Sequence, residues 1–368
     1  MSDLPGDPNR ESIPLLLARP SRLPENRKST AGGQADRPRP SIRVPSLRTD
    51  TTGPIGHLRS YLGVAGTCAA VFLVLIAIFA DMLASDLPIA CKVHGHLYLF
   101  PNVSQPAELV ALGGDALAGD AEWRISTPVP HGPSDRSTVL AAPGHEKTHP
   151  FGTDREGRDV FARVVHGART YLVFAFGAVL ASLLLGGALG AAAGLFGGAT
   201  DALVGRGIET VSAFPPLVLV LGIQAAVPRA TVATLFLAIA LTRWPEVARL
   251  VRAEVMQVAT RDYVLAARAL GASPLRVLSR HVAPNIRGQL VVLGAIGVPA
   301  VILIEASLDF LRVGHTAAVS WGETMSEFRD ASHAWWLLAC PGAFLFIAIV
   351  ALNLVGEARR DSLDPRAR

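Results

Sequence analysis

The sequence predicts an all-α polytopic membrane protein with six transmembrane helices and an extended extracytoplasmic loop after the first span. Three observations predict it. Half of the 368 residues are hydrophobic and only 17% are charged, a balance that a water-facing surface could hardly accommodate. Apolar runs recur at lengths near the roughly 20 residues needed to cross about 30 Å of hydrocarbon. The formal charge is +4, yet the basic residues are almost all Arg and sit beside the apolar runs, where orientation signals belong, so they do not point to nucleic acid.

The elements follow in order. Residues 1–57 are rich in Pro, Arg and Ser without an apolar period and read as a disordered cytoplasmic tail. The first transmembrane segment occupies 58–84, with its apolar run at 61–84, and no convincing cleavage site follows, so it is expected to be retained. Residues 85–169 then form the extracytoplasmic loop, and 170–356 a five-span core with spans at 170–196, 208–227, 230–244, 289–308 and 335–355. A short tail, 357–368, closes the chain. An even span count puts both termini on one side. The loop 245–288 carries Arg249, Arg252, Arg261, Arg268, Arg276, Arg280 and Arg287 against Glu246, Glu254 and Asp262, which makes loop and termini cytoplasmic.

Within 85–169, short β-like runs such as HLYLF, His96 to Phe100, alternate with Gly and Pro and suggest a small β subdomain. Thr153 and Glu156 match a capping box, and Val160, Phe161, Val164 and Val165 share a face that Arg155, Arg158 and Arg163 avoid, so an amphipathic surface helix is expected before the second span. Gly186, Gly190 and Gly194, spaced by four in that span, offer a close helix contact. Phe214, Pro215 and Pro216 must kink the third span, either to line a pathway or as a structural break.

Chemistry at depth is sparse. Asp81 and Glu305 lie near span ends without an evident His or Lys partner and fit interfacial or packing roles better than proton relay. His145 and His149 stand four apart, but Pro143, Gly144 and Pro150 argue against a helix that would make them a metal pair. Cys68 and Cys340 fall in apolar runs and Cys91 in a polar one, which gives neither a disulfide framework nor a zinc spacing. No phosphate-binding G-x-x-x-x-G-K-[ST] precedes any of the lysines, Lys28, Lys92 and Lys147. The chain therefore does not bind ATP through such a loop, and uphill transport would need an ion gradient or a separate ATPase.

The stretch 263–285, YVLAARALGASPLRVLSRHVAPN, bears on that choice. A first helix from Asp262 runs to Leu270 and ends at Gly271, which permits a left-handed cap. Ser273 then caps a second helix with Pro274 at its first position, and a stop is expected near Pro284. Two short helices shown to the cytosol suit docking into a partner, with Leu265, Ala266, Ala267 and Leu270 as the apolar face.

This stretch, with A-A-x-A-L-G-A-S followed by R-H-x-x-P-N, resembles the EAA loop of binding-protein-dependent ABC importer permeases of type I fold. More narrowly, 60–368 resembles the C-type subunit of the dipeptide/oligopeptide/nickel group. The supporting motifs are His149 to Asp154, Gly157-Arg158-Asp159, Ala213-Phe214-Pro215, Ser320-Trp321-Gly322, Pro341-Gly342 and the ending at 360–366.

The resemblance implies a bacterial inner-membrane importer in which a second permease subunit completes the pathway. Two cytoplasmic ABC ATPases bind beneath and use the ATP, so this chain itself binds no cofactor, and a periplasmic substrate-binding protein delivers peptides or similar small solutes. Lipid is the remaining partner, and no enzymatic activity is implied. An ion-coupled secondary transporter and an intramembrane hydrolase are the alternatives. Two departures stand out. Leu265 occupies the position where the family usually has Glu, and Leu308-Asp309-Phe310-Leu311-Arg312-Val313-Gly314 stands where it tends to read L-S-F-L-G-L-G.

Overall fold

A computed structural model describes residues 54–144, 148–229, 231–313 and 319–363. Nearly all of the expected N-terminal tail, together with His145, Gly314 and 364–366 of the closing motif, lies outside the described residues. In chain order the elements are α1 (Pro54–Ile78), α2 (Ala80–Leu83), β1 (Ala90–Val93), β2 (His96–Leu99), α3 (Pro101–Ser104), α4 (Ala107–Asp120) and β3 (Ala121–Ile125). There follow α5 (Val160–Phe196), α6 (Gly198–Ser212), α7 (Pro216–Ala226), α8 (Val232–Ala259), α9 (Asp262–Ala269) and α10 (Pro274–Val277). A π-helical turn, Leu278–Val282, leads into α11 (Ala283–Phe310), and α12 (Trp321–Glu327) and α13 (Trp336–Leu363) complete the fold.

Among the described residues four helical stretches are long and apolar enough to cross a membrane: Tyr61–Ile78, Val160–Phe196, Pro274–Phe310 and Trp336–Ser362. A fifth crossing results if α6 and α7, bent by 91° at the intervening break, form one broken span. The segment expected at 230–244 becomes the first half of α8, a longer helix whose second half carries Glu246, Arg249, Arg252 and Glu254.

The axis of the bundle is α5, which at 37 residues is about 55 Å long. Its glycine ridge lies on α8. A Cβ at Gly186 would sit 2.5 Å from the Trp244 carbonyl and one at Gly194 2.8 Å from Val255 Cβ, while one at Gly190 would overlap the Ala248 backbone. Towards the N-terminal half of α5, Leu73 and Ala77 of α1, Val164, Ala168 and Ala175 of α5, Ile239 of α8, Ile302 of α11 and Leu337 of α13 form one buried core.

Two local expectations are corrected. The helix before the second span does not begin at Thr153. Asp159 caps α5 by accepting a hydrogen bond from the Ala162 N–H at 2.7 Å, and α5 runs without a break into the span. Thr153 instead accepts from the Ala141 N–H and donates to the Thr138 carbonyl, so the capping box does not form. Arg163 is buried rather than solvent-facing, because α12 covers that side of α5. Pro284 likewise does not stop its helix. The π turn immediately before it widens the backbone where the proline lacks an N–H and its ring would crowd the carbonyl four residues back, and the helix continues for the full length of α11.

Of the loop 85–169, read as holding short β-like runs, residues 90–125 contain a three-stranded antiparallel sheet of order β2-β1-β3. Cys91, Val93 and Tyr98 on one face pack with Leu87 and with Leu109 and Leu117 of α4. Burial there pushes the Cys91 thiol above its ordinary pKa.

Candidate functional site

The stretch after α8 is built by local rules. Asp262 in the first turn of α9 and Arg268 in its last complement the helix dipole. The helix ends in a Schellman motif, in which the Ala272 N–H donates to the Ala267 carbonyl at 3.0 Å, the Gly271 N–H to the Arg268 carbonyl at 2.9 Å, and Gly271 sits at φ +83°. Ser273 then accepts from the Arg276 N–H at 3.4 Å, with Pro274 opening α10.

Its anchors and its exposed face are distinct. Val264, Val277, Val282 and Ile286 are buried in one cluster with Val247, Val251, Val255 and Val258 of α8 and Ala191 of α5. Tyr263 and His281 hold α9 beside the π turn, with ring centroids 5.7 Å apart. The Gln289 amide donates to Glu254 of α8 at 2.8 Å. On the outside, Ala266 and Ala267 are exposed and half-buried respectively, Leu265 is 50% exposed, and Leu270 is 90% exposed. Pro284 is exposed at the base of α11. Leu275, 72% exposed, lines an apolar cavity with Leu278, Ile286 and Leu290 against Ala188, Ala192 and Leu195 of α5. Sequence reasoning missed it, although its place directly after a capped Pro274 was a usable signal.

Phe214, Pro215 and Pro216 lie apart from this loop. Pro215 takes the N-cap position of α7 and Pro216 its first turn, and Phe214 is exposed. The bend is nonetheless linked to α8. Arg249 donates to Ser212 at 3.2 Å, and the Arg252 guanidinium grips both carboxylate oxygens of Asp201, one at 2.7 Å. On the far side of the bend, Gln224 is buried in α7 and accepts from Thr234 of α8 at 3.2 Å.

At the other end of α5 the structure joins motifs that are separate in sequence. Trp321 is buried and donates to the Val164 carbonyl at 2.7 Å. Tyr171 accepts from the Gly322 N–H at 3.1 Å, and its hydroxyl also contacts Asp309 and Ser320. Arg158 bridges Asp154 at 2.7 Å and Glu327 at 2.8 Å, while Arg163 pairs with Glu323 at 2.9 Å. Asp159 holds His149 at 2.7 Å, and Trp336 donates to the Thr153 carbonyl at 2.9 Å. Burial raises the Asp159 and Glu327 carboxyls above their ordinary pKa, despite the His149 and Arg158 partners that pull them down.

The second departure from the family pattern, at 308–314, falls in this seam, whereas Leu265 lies in α9. Arg312 reaches Asp330 at 2.9 Å and Ser326 at 3.0 Å, and Asp309 takes the Ser320 hydroxyl. Asp81 gains an unforeseen partner, Arg169, at 2.8 Å. Glu305 is fully buried in α11, one turn before Asp309.

Four helical stretches long and apolar enough to cross a membrane, one of them continuous with the short helices after Gly271, describe a multi-pass membrane protein. Residues 186–368 match the family model of the binding-protein-dependent transport system inner membrane component. The oligopeptide transport system permease protein OppC of Bacillus subtilis (strain 168) is 37% identical over 224 residues, 60% of this chain and 73% of the relative. A Brucella suis biovar 1 (strain 1330) protein, whose name assigns it provisionally as a peptide transport system permease, is 38% identical over 229 residues, 61% of this chain and 76% of its own length. A second protein of that strain, provisionally named a peptide permease, is 35% identical over 245 residues, 65% and 80% of the two chains. The chain belongs to the binding-protein-dependent transport system inner membrane component family, and is an ABC transport permease rather than an enzyme.

Proposed function

We propose that this permease forms one half of the pathway of an ATP-driven importer for peptides, crossing the bacterial inner membrane six times with both termini in the cytoplasm. The apolar first half of α8 supplies the crossing that length and composition alone leave out, and its charged second half continues into the cytosol beside α6. Residues 85–159 then lie outside, where a periplasmic binding protein delivers solute. A second permease subunit faces this one, and two ATPases bind and hydrolyse ATP beneath the pair. The peptide class rests on the names of the relatives.

One observation carries the coupling role: the exposed surface of Leu265, Ala266 and Leu270 stands on a stretch anchored by Val264, Val277 and Val282. That stretch continues through the π turn into α11 as one apolar length, Pro274–Phe310. A push on the knob is therefore delivered to a membrane helix with little loss in a flexible joint. The ties from Arg249 and Arg252 extend the same movement to the bend at Phe214, Pro215 and Pro216, which we assign to the pathway wall. Uptake of matched di-, tetra- and hexapeptides, in a strain lacking this chain and in the same strain with it restored, tests the reading. Restored uptake of at least one peptide, lost again when the partner ATPase is inactivated, is expected. Uptake indifferent to the chain, or driven by a proton or sodium gradient without ATP, would contradict it.

A further inference from the structure

The small sheet has two unlike faces. Its register aligns Leu97, Lys92 and Trp123 across the three strands, and Leu99, Ala90 and Ile125 in the next row. The opposite face is covered by α4, as described above. On this one Ala90 and Lys92 of the central strand are buried and half-buried, but the flanking strands are bare: Leu97 is 58%, Leu99 64%, Trp123 43% and Ile125 55% exposed. Phe100 and Val103 extend it past the end of β2.

We propose that this bare face, with Phe100 and Val103, seats in the headgroup–acyl boundary of the bilayer that α1 enters. The inference rests on α1 as a membrane span and holds whichever side of the membrane the sheet occupies. The first argument is continuity. The buried side chain of Asn102 donates to the Asp81 carbonyl at 2.7 Å, which pins α3 against α2 at the end of α1. Phe100 and Val103 flank that contact, and the chain leading into it carries the exposed apolar residues Phe72, Leu75, Ile78 and Phe79.

The second argument is the order of polarity along the face. Nearest the span are Phe100, Leu99 and Ile125. Trp123 and Leu97 come next, and the hairpin tip beyond them carries His94, Gly95 and His96. Lys92, between Leu97 and Trp123 in that middle row, is paired with Glu122 at 2.6 Å, and Glu122 also accepts from the Gly95 N–H of the tip at 3.0 Å. An apolar end, an indole in the middle and a polar tip is the sequence of layers met on leaving a bilayer core. A water-soluble partner imposes no such gradient, and the paired Lys92 and Glu122 leave no unbalanced charge on which such a partner could select.

The test uses the full chain in its assembled transporter, embedded in nanodiscs. Subtracting the emission of a Trp123→Phe variant isolates Trp123. Phosphatidylcholine brominated near the top of the acyl chains should remove most of that signal, while aqueous acrylamide removes little. Quenching by acrylamide alone would leave the face in water, and protection from both quenchers would place it under protein; either result overturns the proposal. In parallel, an environment-sensitive dye is attached at Leu99→Cys, with Cys68 and Cys340 replaced by Ser and buried Cys91 retained. Its emission should be blue-shifted relative to the same dye at exposed Gly119→Cys. Equal emission at the two sites overturns the proposal even if Trp123→Phe fails to fold. Neither readout requires transport, so a failure of the import reading would be distinguishable from a failure of this one.

Discussion

The Trp321 indole N–H donates to the Val164 carbonyl at 2.7 Å across 157 residues of sequence. This bond fastens α12 to the first turns of α5, and the ring also stacks on Tyr171 with centroids 4.8 Å apart. Gly167 makes the contact possible, since a Cβ there would lie 2.7 Å from the indole. Trp321→Ala should destabilise the chain by about 3–5 kcal/mol through the cavity it leaves. Trp321→Phe should cost less, because it keeps much of the volume and gives up the hydrogen bond. Thermal unfolding of the purified transporter should rank wild type above Phe and Phe above Ala, and equal midpoints for all three would show that the seam is not structural.

Glu327 makes the same seam sensitive to pH. Its carboxyl is held above the ordinary range, chiefly by burial and further by neighbouring Asp154. A carboxyl with a raised folded-state pKa contributes stability that is fully present below its unfolded pKa and lost as pH rises through the folded value. Glu327→Gln removes that dependence. The variant should therefore gain stability relative to wild type as pH moves from the acid range to neutrality, and a difference that moves the other way would refute the burial argument.

The glycine ridge gives a sharper mutational contrast. At Gly190 a Cβ would overlap the Ala248 backbone, whereas at Gly187 it meets nothing within 4 Å. Gly190→Ala should force α5 and α8 apart at about 1–3 kcal/mol. Gly187→Ala should be neutral or gain up to about 1 kcal/mol of helix propensity. Comparable losses at both positions would mean that the ridge is not the seat of the packing.

Orientation can be read by thiol labelling. Cys91 is buried behind α4 and should stay unreactive from either side. Gly119 is exposed at the end of α4, so Gly119→Cys should react with a membrane-impermeant reagent added outside the inner membrane. Labelling only after the cytosolic side is opened would invert the proposed topology.

What the sequence disclosed follows the range of the forces involved. Gly271, Ser273 and Pro274 act within a few residues of themselves, and the expected caps form. The glycines at 186, 190 and 194 declare a contact face by spacing alone. Thr153 and Glu156 misled because the local capping pattern competes with the backbone groups of Thr138 and Ala141, which no local rule brings near. Pro284 misled for a different reason: a π turn absorbs its missing donor, and the burial of Val282 and Ile286 keeps the helix going. The charged second half of α8 hid its length, because its contact with α5 lies on the other face of the helix. The salt-bridged seam between 154–163 and 320–330 joins segments some 160 residues apart, as from Arg163 to Glu323, and could only be found in three dimensions.

The central claim is that the knob around Gly271 transmits ATPase movement to the membrane helices. Gly271 has no atom within 4 Å of an added Cβ, so a side chain there strains only the φ +83° backbone, by roughly 1 kcal/mol or more, and leaves the buried anchors intact. Peptide uptake by cells carrying Gly271→Leu, normalised to the amount of chain in the membrane, is the most direct measurement. We predict normal accumulation with uptake abolished. Normal accumulation with uptake at the unmodified rate would contradict the account.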